Sequence, residues 1–280
     1  MSRLRPLPWL LLLGLACEAG AAPAPTPRPA PVVVAPPASA PAPAPTASKT
    51  RLRQTAGVDH LEFIHVAPGT PKTEAPTADA VLPLIIALHG RGDDPEGFEH
   101  LLDGLPVHAR VIVPRAFDPL GDDGFSWFPI RARSADVAAL ARGIDGANDR
   151  LAVMIAELLK TRPTRGKALV TGFSQGGMLS FALAVDHPDL ISAAVPIGGW
   201  LPPPLVPAAL PPAPLPTIVA LHGEADVVVP FAPTRESVAA LTKQGWPVTL
   251  HPFPDVAHQI PPPVRRELYS QLQRAVEALP

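Results

Sequence analysis

The chain has 280 residues, of which 47% are hydrophobic and 17% charged, and its formal net charge is −2. So much apolar side chain and so little charge exclude a wholly disordered chain, and the near-neutral balance leaves no basic footprint for nucleic acid. The single cysteine excludes an internal disulfide framework and any multi-cysteine metal site, while 41 prolines stand at about three times the usual ~5%.

In chain order, the first segment reads as an address. Residues 1–22 carry Arg3 and Arg5, then an apolar run from Leu7 to Ala16, then small residues to Ala22. Charged, apolar and small regions in that order are those of an export signal, and the apolar run is too short for the ~20 residues of a membrane span. Cys17 directly follows Leu13-Gly14-Leu15-Ala16, which resembles a bacterial lipoprotein lipobox and makes Cys17 the candidate for lipidation. Cleavage after Ala21 with simple release is the alternative. Either places the mature chain outside the cytoplasm, as a periplasmic or surface lipoprotein in the first case. Residues 23–49 are little but Ala, Pro, Thr and Val, a composition that stays extended and serves as a semi-rigid spacer.

From residue 50 to 280 the pattern is that of one folded domain. Leu61–Val66 alternates as a strand, and Leu82–Leu88 is a nearly continuous apolar run, as a strand buried on both faces reads. Arg110–Pro114 is a third strand. Between Ser134 and Thr161 apolar residues recur every three or four positions, from Val137 through Leu140, Ile144 and Leu151 to Leu158, which predicts a long amphipathic helix capped by Ser134 with Asp136 behind it. Strands over 168–171, 193–197, 217–221 and 248–252 then alternate with helices over 176–185, 233–243 and 263–279. Such alternation implies crossover connections, hence an α/β fold with a mostly parallel sheet and helices on both faces.

The chemistry falls at strand ends. Gly172-Phe173-Ser174-Gln175-Gly176 is a G-x-S-x-G between a predicted strand and a predicted helix. A serine on so tight a turn needs small neighbours two residues away on each side, and the helix N-terminus behind it favours developing negative charge. Its hydroxyl becomes a nucleophile only with a base and an orienting acid, which follow in the order acid then histidine. Asp226 and His258 stand just past two later strands and fill those places, with Glu224 and Asp255 as competing acids. His222 directly follows a strand and reads as structural. For the oxyanion, the backbone N–H of Gln175 supplies one donor, and Arg91, flanked by Gly90 and Gly92, supplies the other.

Together, Leu88-His89-Gly90-Arg91-Gly92-Asp93, Gly172 to Gly177, His222-Gly223-x-x-Asp226-x-Val228-Val229-Pro230 and the later His258 resemble the phospholipase/carboxylesterase family of acyl-protein thioesterase-like serine esterases. Gly199-Trp200-Leu201-Pro202 is similar to a further family segment. The resemblance spans about residues 60–280. It implies a single α/β-hydrolase domain without a large lid, catalytic Ser174, Asp226 and His258, and hydrolysis of carboxylic or thio-esters without metal or organic cofactor. The implied partner is a small-molecule or lipid ester; membrane attachment would come separately, from the lipobox-like segment at Cys17. Trp127, Phe128 and Trp200 are the aromatic candidates for the substrate wall, and the proline-rich run 202–216 is either a flank of the site or a stiff connector.

Departures from the family pattern concern substrate choice. Trp127-Phe128 is followed by Pro129 where an acidic residue is usual, and Asp255-Val256-Ala257 precedes His258 in place of Gly-Met-x. The family's members are mostly intracellular, whereas this chain carries an export signal. Two other classes remain open from the sequence: a serine peptidase on the same fold, and a catalytically silent surface module that binds a polymer or partner.

Overall fold

Why the central strands are buried on both faces is visible in their side-chain alternation. The computed structural model describes residues 52–212 and 214–280; the segments read as an export signal (1–22, with Cys17) and as a linker (23–49) lie outside them. In chain order the strands are β1 (Arg53–Thr55), β2 (Val58–His65), β3 (Leu84–Leu88), β4 (Ala109–Pro114), β5 (Asp118–Leu120), β6 (Gly124–Ser126), β7 (Ala168–Phe173), β8 (Ile191–Ile197), β9 (Thr217–Gly223) and β10 (Val248–Phe253). The helices are α1 (Pro95–Glu99), α2 (Val137–Thr161), α3 (Gln175–Asp186), α4 (Phe231–Gln244) and α5 (Pro262–Glu277). From β3, Leu84, Ile86 and Leu88 pack with α2, α3 and α4, while Ile85 and Ala87 pack on the opposite face with α1 and α5. A helical layer therefore covers each face, as the fold class requires.

Eight strands form one sheet in the order β1-β2-β4-β3-β7-β8-β9-β10. From β4 to β10 all pairs are parallel, and β2 joins β4 antiparallel, as β1 joins β2. After β3 the chain moves to β4 on one side, and after β7 it moves to β8 on the other. The crevice at the carboxyl ends of β3 and β7 is thus a topological switch point, where open parallel sheets place their sites. No helix of the described residues is long and apolar enough to cross a membrane.

One local expectation is corrected, and one element is added. The cap of α2 is Asp136, whose Oδ1 accepts the Ala139 N–H at 2.8 Å; Ser134 instead accepts the Asp136 N–H at 3.2 Å and turns the chain into the cap. The antiparallel hairpin of β5 and β6 was not anticipated, because three-residue strands interrupted by Pro119 show no alternation.

One buried charge ties the edge of the sheet together. Glu62 on β2 has a side chain only 3% exposed, and it accepts from Arg110 on β4 at 3.1 Å and from Arg162, at the end of α2, at 2.8 and 2.9 Å. Arg53 adds a contact at 3.1 Å from β1. Burial alone raises the Glu62 pKa, but hydrogen bonds and the adjacent guanidiniums hold it well below the usual carboxylate range. Glu62→Gln is therefore expected to lower the unfolding free energy by about 3 kcal/mol, since Arg110 is left buried without its counter-charge. In urea unfolding at pH 7, replacing Glu62 and Arg110 together by apolar residues is expected to cost less than the single change.

Candidate active site

Ser174 occupies the turn between β7 and α3 with φ 57° and ψ −115°, a left-handed conformation strained for any residue but glycine. The glycines explain how the turn closes. A Cβ on Gly172 would run into the Gly176 carbonyl, and one on Gly176 into the Leu88 carbonyl at the end of β3. Neither place admits a side chain, because the first turn of α3 lies directly on the β3 and β7 backbones.

His258, on the loop after β10, meets the serine. Its Nε2 lies 3.0 Å from Ser174 Oγ, and its Nδ1–H donates to Asp226 Oδ2 at 2.7 Å. Phe173 stacks on the ring with centroids 4.5 Å apart. Both competing acids, Glu224 and Asp255, are exposed and form no bond to His258. The loop reaches this position because Gly223, at the end of β9, lets the Val256 carbonyl pass where a Cβ would sit.

Asp226 is almost entirely enclosed, with a side chain 1% exposed. Its Oδ1 accepts the backbone N–H groups of Val228 and Val229 at 2.9 and 2.8 Å. His222, read from the sequence as structural, is fully buried beside it. The His222 Nε2–H donates to the Val229 carbonyl at 2.9 Å and lies 3.4 Å from Asp226 Oδ2. Thr234 Oγ1 lies within hydrogen-bond reach of both the His222 Nδ1, at 2.9 Å, and the Gly199 carbonyl, at 2.8 Å. Burial raises the Asp226 pKa, but the bonds from His222, His258 and Val229 outweigh it and keep the carboxyl well below its ordinary range.

The loop after β3 brings Gly90 and Arg91 to the other side of Ser174. His89 is buried and anchors it: Nδ1–H donates to the Gly90 carbonyl at 2.7 Å, and Nε2 accepts the Ala116 N–H at 3.1 Å. Burial lowers the His89 pKa and keeps the ring neutral, as that bonding pattern requires. The β5–β6 hairpin braces the same loop through Gly92 N–H to the Phe125 carbonyl at 2.7 Å. Among the described residues, neither the Arg91 nor the Gln175 backbone N–H has an acceptor, so both are free to face the cavity.

The cavity over Ser174 measures about 820 Å³. One side is Gly90, Arg91, Phe173, Gln175 and His258; the other is the segment 129–134 with Val228. The aromatic candidates for this wall are corrected by the structure. Trp127 and Phe128 are each 2% exposed and belong to the core, with the Trp127 indole N–H donating to the His89 carbonyl at 2.8 Å. Trp200 is also buried, and its indole N–H supports the Ala132 carbonyl from behind at 3.3 Å. These rings hold the wall without forming its surface.

The Gln175 side chain was missed by sequence reasoning. Buried to 2% exposure, it accepts the Trp127 N–H at 3.1 Å and donates to the Phe128 carbonyl at 2.8 Å. The residue after Ser174 thus also clamps the opposite wall. A polar side chain fully buried next to a tight turn needs backbone partners, but nothing in the sequence says which.

Comparison with known proteins gives the family. The sequence profile of the phospholipase/carboxylesterase family matches residues 71–275, and the chain belongs to that family. It is 30% identical over 190 residues to lysophospholipase-like protein 1 of Mus musculus, covering 63% of this chain and 80% of the relative. Acyl-protein thioesterase 1 of Mycosarcoma maydis is 26% identical over 219 residues, covering 68% and 90% respectively. Among solved structures, esterase PE8 superposes with a TM-score of 0.61 at 23% identity, covering 71% of this chain and 96% of that one, and a Bacillus cereus carboxylesterase with 0.61 at 16%, covering 78% and 94%. The α/β-hydrolase fold and an esterase or thioesterase type of hydrolysis are those of the family.

Removing the second histidine tests the support of Asp226. His222→Ala is expected to lower stability by about 2 kcal/mol at pH 7, because a buried carboxylate loses a donor. Asp226 is depressed below its unfolded pKa, so this contribution is present above ~pH 4 and is lost as the pH falls. The gap between variant and parent in urea unfolding should therefore stay constant from pH 7 to about pH 4 and narrow only below that.

Proposed function

We propose that this chain is an exported serine esterase that hydrolyses carboxylic or thio-esters through an acyl-enzyme. The observation that carries the reading is the continuous line from Ser174 Oγ through His258 to Asp226, at 3.0 and 2.7 Å. His258 Nε2 takes the hydroxyl proton as Ser174 attacks the ester carbonyl, and Asp226 balances the imidazolium that forms. The backbone N–H groups of Arg91 and Gln175 receive the oxyanion, a pair in which each donor is worth about 3 kcal/mol in the transition state. His258 then returns the proton to the departing alcohol or thiol. Water, activated by the same ring, releases the acid and regenerates Ser174.

Names among the relatives support ester chemistry, since they include a lysophospholipase-like protein and an acyl-protein thioesterase. Export rests on the order of Arg3 and Arg5, the apolar run and Cys17, with Cys17 as the lipid attachment site and 23–49 as the tether.

A fluorophosphonate probe and p-nitrophenyl esters from acetate to palmitate test the reaction. Labelling should fall on Ser174 and abolish turnover, and Ser174→Ala should lower kcat at least ~10⁴-fold with the fold intact. Undiminished hydrolysis by a clean Ser174→Ala preparation would falsify the proposal. For the anchor, metabolic labelling with a fatty-acid probe should mark the parent chain and leave Cys17→Ser unlabelled; equal labelling of both would remove Cys17 from that role.

A further inference from the structure

Hydrolysis of a neutral ester needs a nucleophile, a base and oxyanion donors, none of them a cationic side chain. Yet three of the fourteen residues lining the cavity are arginines, Arg91, Arg131 and Arg133, in a chain whose net charge is −2. Elsewhere Arg53, Arg110, Arg115 and Arg162 are each paired with a carboxylate, and seven further described arginines are not. Among the described residues the three cavity arginines pair with none. One carboxylate lines the cavity, that of Asp93, and its Oδ1 accepts the Asp94 N–H at 2.9 Å within the turn.

The wall that bears Arg131 and Arg133 is held at both ends and from behind. Gln175 fixes the Trp127 and Phe128 backbone, Trp200 supports Ala132, and the Ser134 N–H closes a turn onto the Arg131 carbonyl at 2.9 Å. Arg133 reaches across to the loop of Asp226, donating from Nη1 to the Val227 carbonyl at 2.9 Å. A guanidinium carries five N–H donors in a planar fork that matches carboxylate and phosphate oxygens, so one backbone contact leaves most of that fork unused. Like charges gathered in a cleft with apolar walls, here Pro129, Ile130, Phe173 and Val228, concentrate the field and draw in counter-ions.

We propose that the cavity selects esters bearing a second, anionic group of the carboxylate or phosphate kind, received by Arg131 and Arg133 beside the scissile bond. The inference rests on the serine-esterase reading of the same cavity and specifies its substrate class. The apolar remainder of the wall takes the carbon chain, and the arginines take the charge.

Matched ester pairs test it on the full chain. On the acyl side, the p-nitrophenyl monoester of adipate is compared with p-nitrophenyl adipamate. On the leaving-group side, 3-carboxyphenyl and 3-(phosphonooxy)phenyl butyrate are each compared with 3-carbamoylphenyl butyrate. At least one anionic ester should exceed its neutral partner by about tenfold in kcat/KM at low ionic strength, and which one does so locates the anion and its kind. The ratio should fall as salt shortens the screening length, collapse toward one in R131Q/R133Q, and persist in R131K/R133K. Because the ratio is taken within each enzyme, any general loss of folded protein cancels. Ratios near one for all three pairs, or a preference untouched by the glutamine substitutions, would overturn the proposal. Hydrolysis of the neutral esters by the parent and its loss in Ser174→Ala report separately on the esterase reading.

Discussion

Backbone lies directly on backbone at the Ser174 turn, and the site depends on that contact. Gly172 and Gly176 let α3 start against the end of β3, and a Cβ on Gly177 would stand 2.5 Å from the Ile197 carbonyl of β8. Gly199 in turn leaves no space for a Cβ against Gly177. Three strand ends and one helix start are thereby fused without intervening side chains. Only such an over-determined setting keeps a serine at φ 57°, a conformation that costs about 1–3 kcal/mol. The strained turn presents the hydroxyl at the switch point of the sheet, where loops from both halves of the molecule converge.

Two buried carboxylates show how one group serves different ends. Glu62 is held chiefly by arginines, which remain charged at any ordinary pH, and so it fastens β1, β2, β4 and the end of α2. Asp226 is held by two backbone N–H groups and two imidazoles. Every donor there is neutral or titratable, so the carboxylate's charge is solvated but not cancelled by a permanent cation. In the proposed mechanism that leaves it able to stabilise a positive charge arriving on His258.

The wall facing Ser174 divides into a rear and a front. Trp127, Phe128 and Trp200 fill the rear, and Gln175 stitches the nucleophile turn to it, so the front at 129–134 has a fixed backbone. Surface loops carried by a rigid scaffold are where substrate choice resides. Relatives bearing lysophospholipase-like and thioesterase names share the scaffold at 26–30% identity. In this chain the front carries Arg131 and Arg133.

The sequence by itself determined most of the elements and which candidate residues stand at their ends. The apolar run of β3, the three-and-four spacing of α2 and the Gly-x-Ser-x-Gly turn are local signals, set by pleat, helical pitch and steric crowding, and each is read within a few residues. Asp226 and His258 were legible because strand ends announce loops. Tertiary structure alone decided what depends on distant partners. Asp136 rather than Ser134 caps α2, and Trp127 and Phe128 turn into the core because the His89 carbonyl and α2 receive them. His222 joins Asp226, and Gln175 reaches carbonyls and N–H groups 47 and 48 residues away. A side chain leaving a loop has no period to betray its direction, and a hydrogen bond across the fold exists only once packing has brought its two ends together.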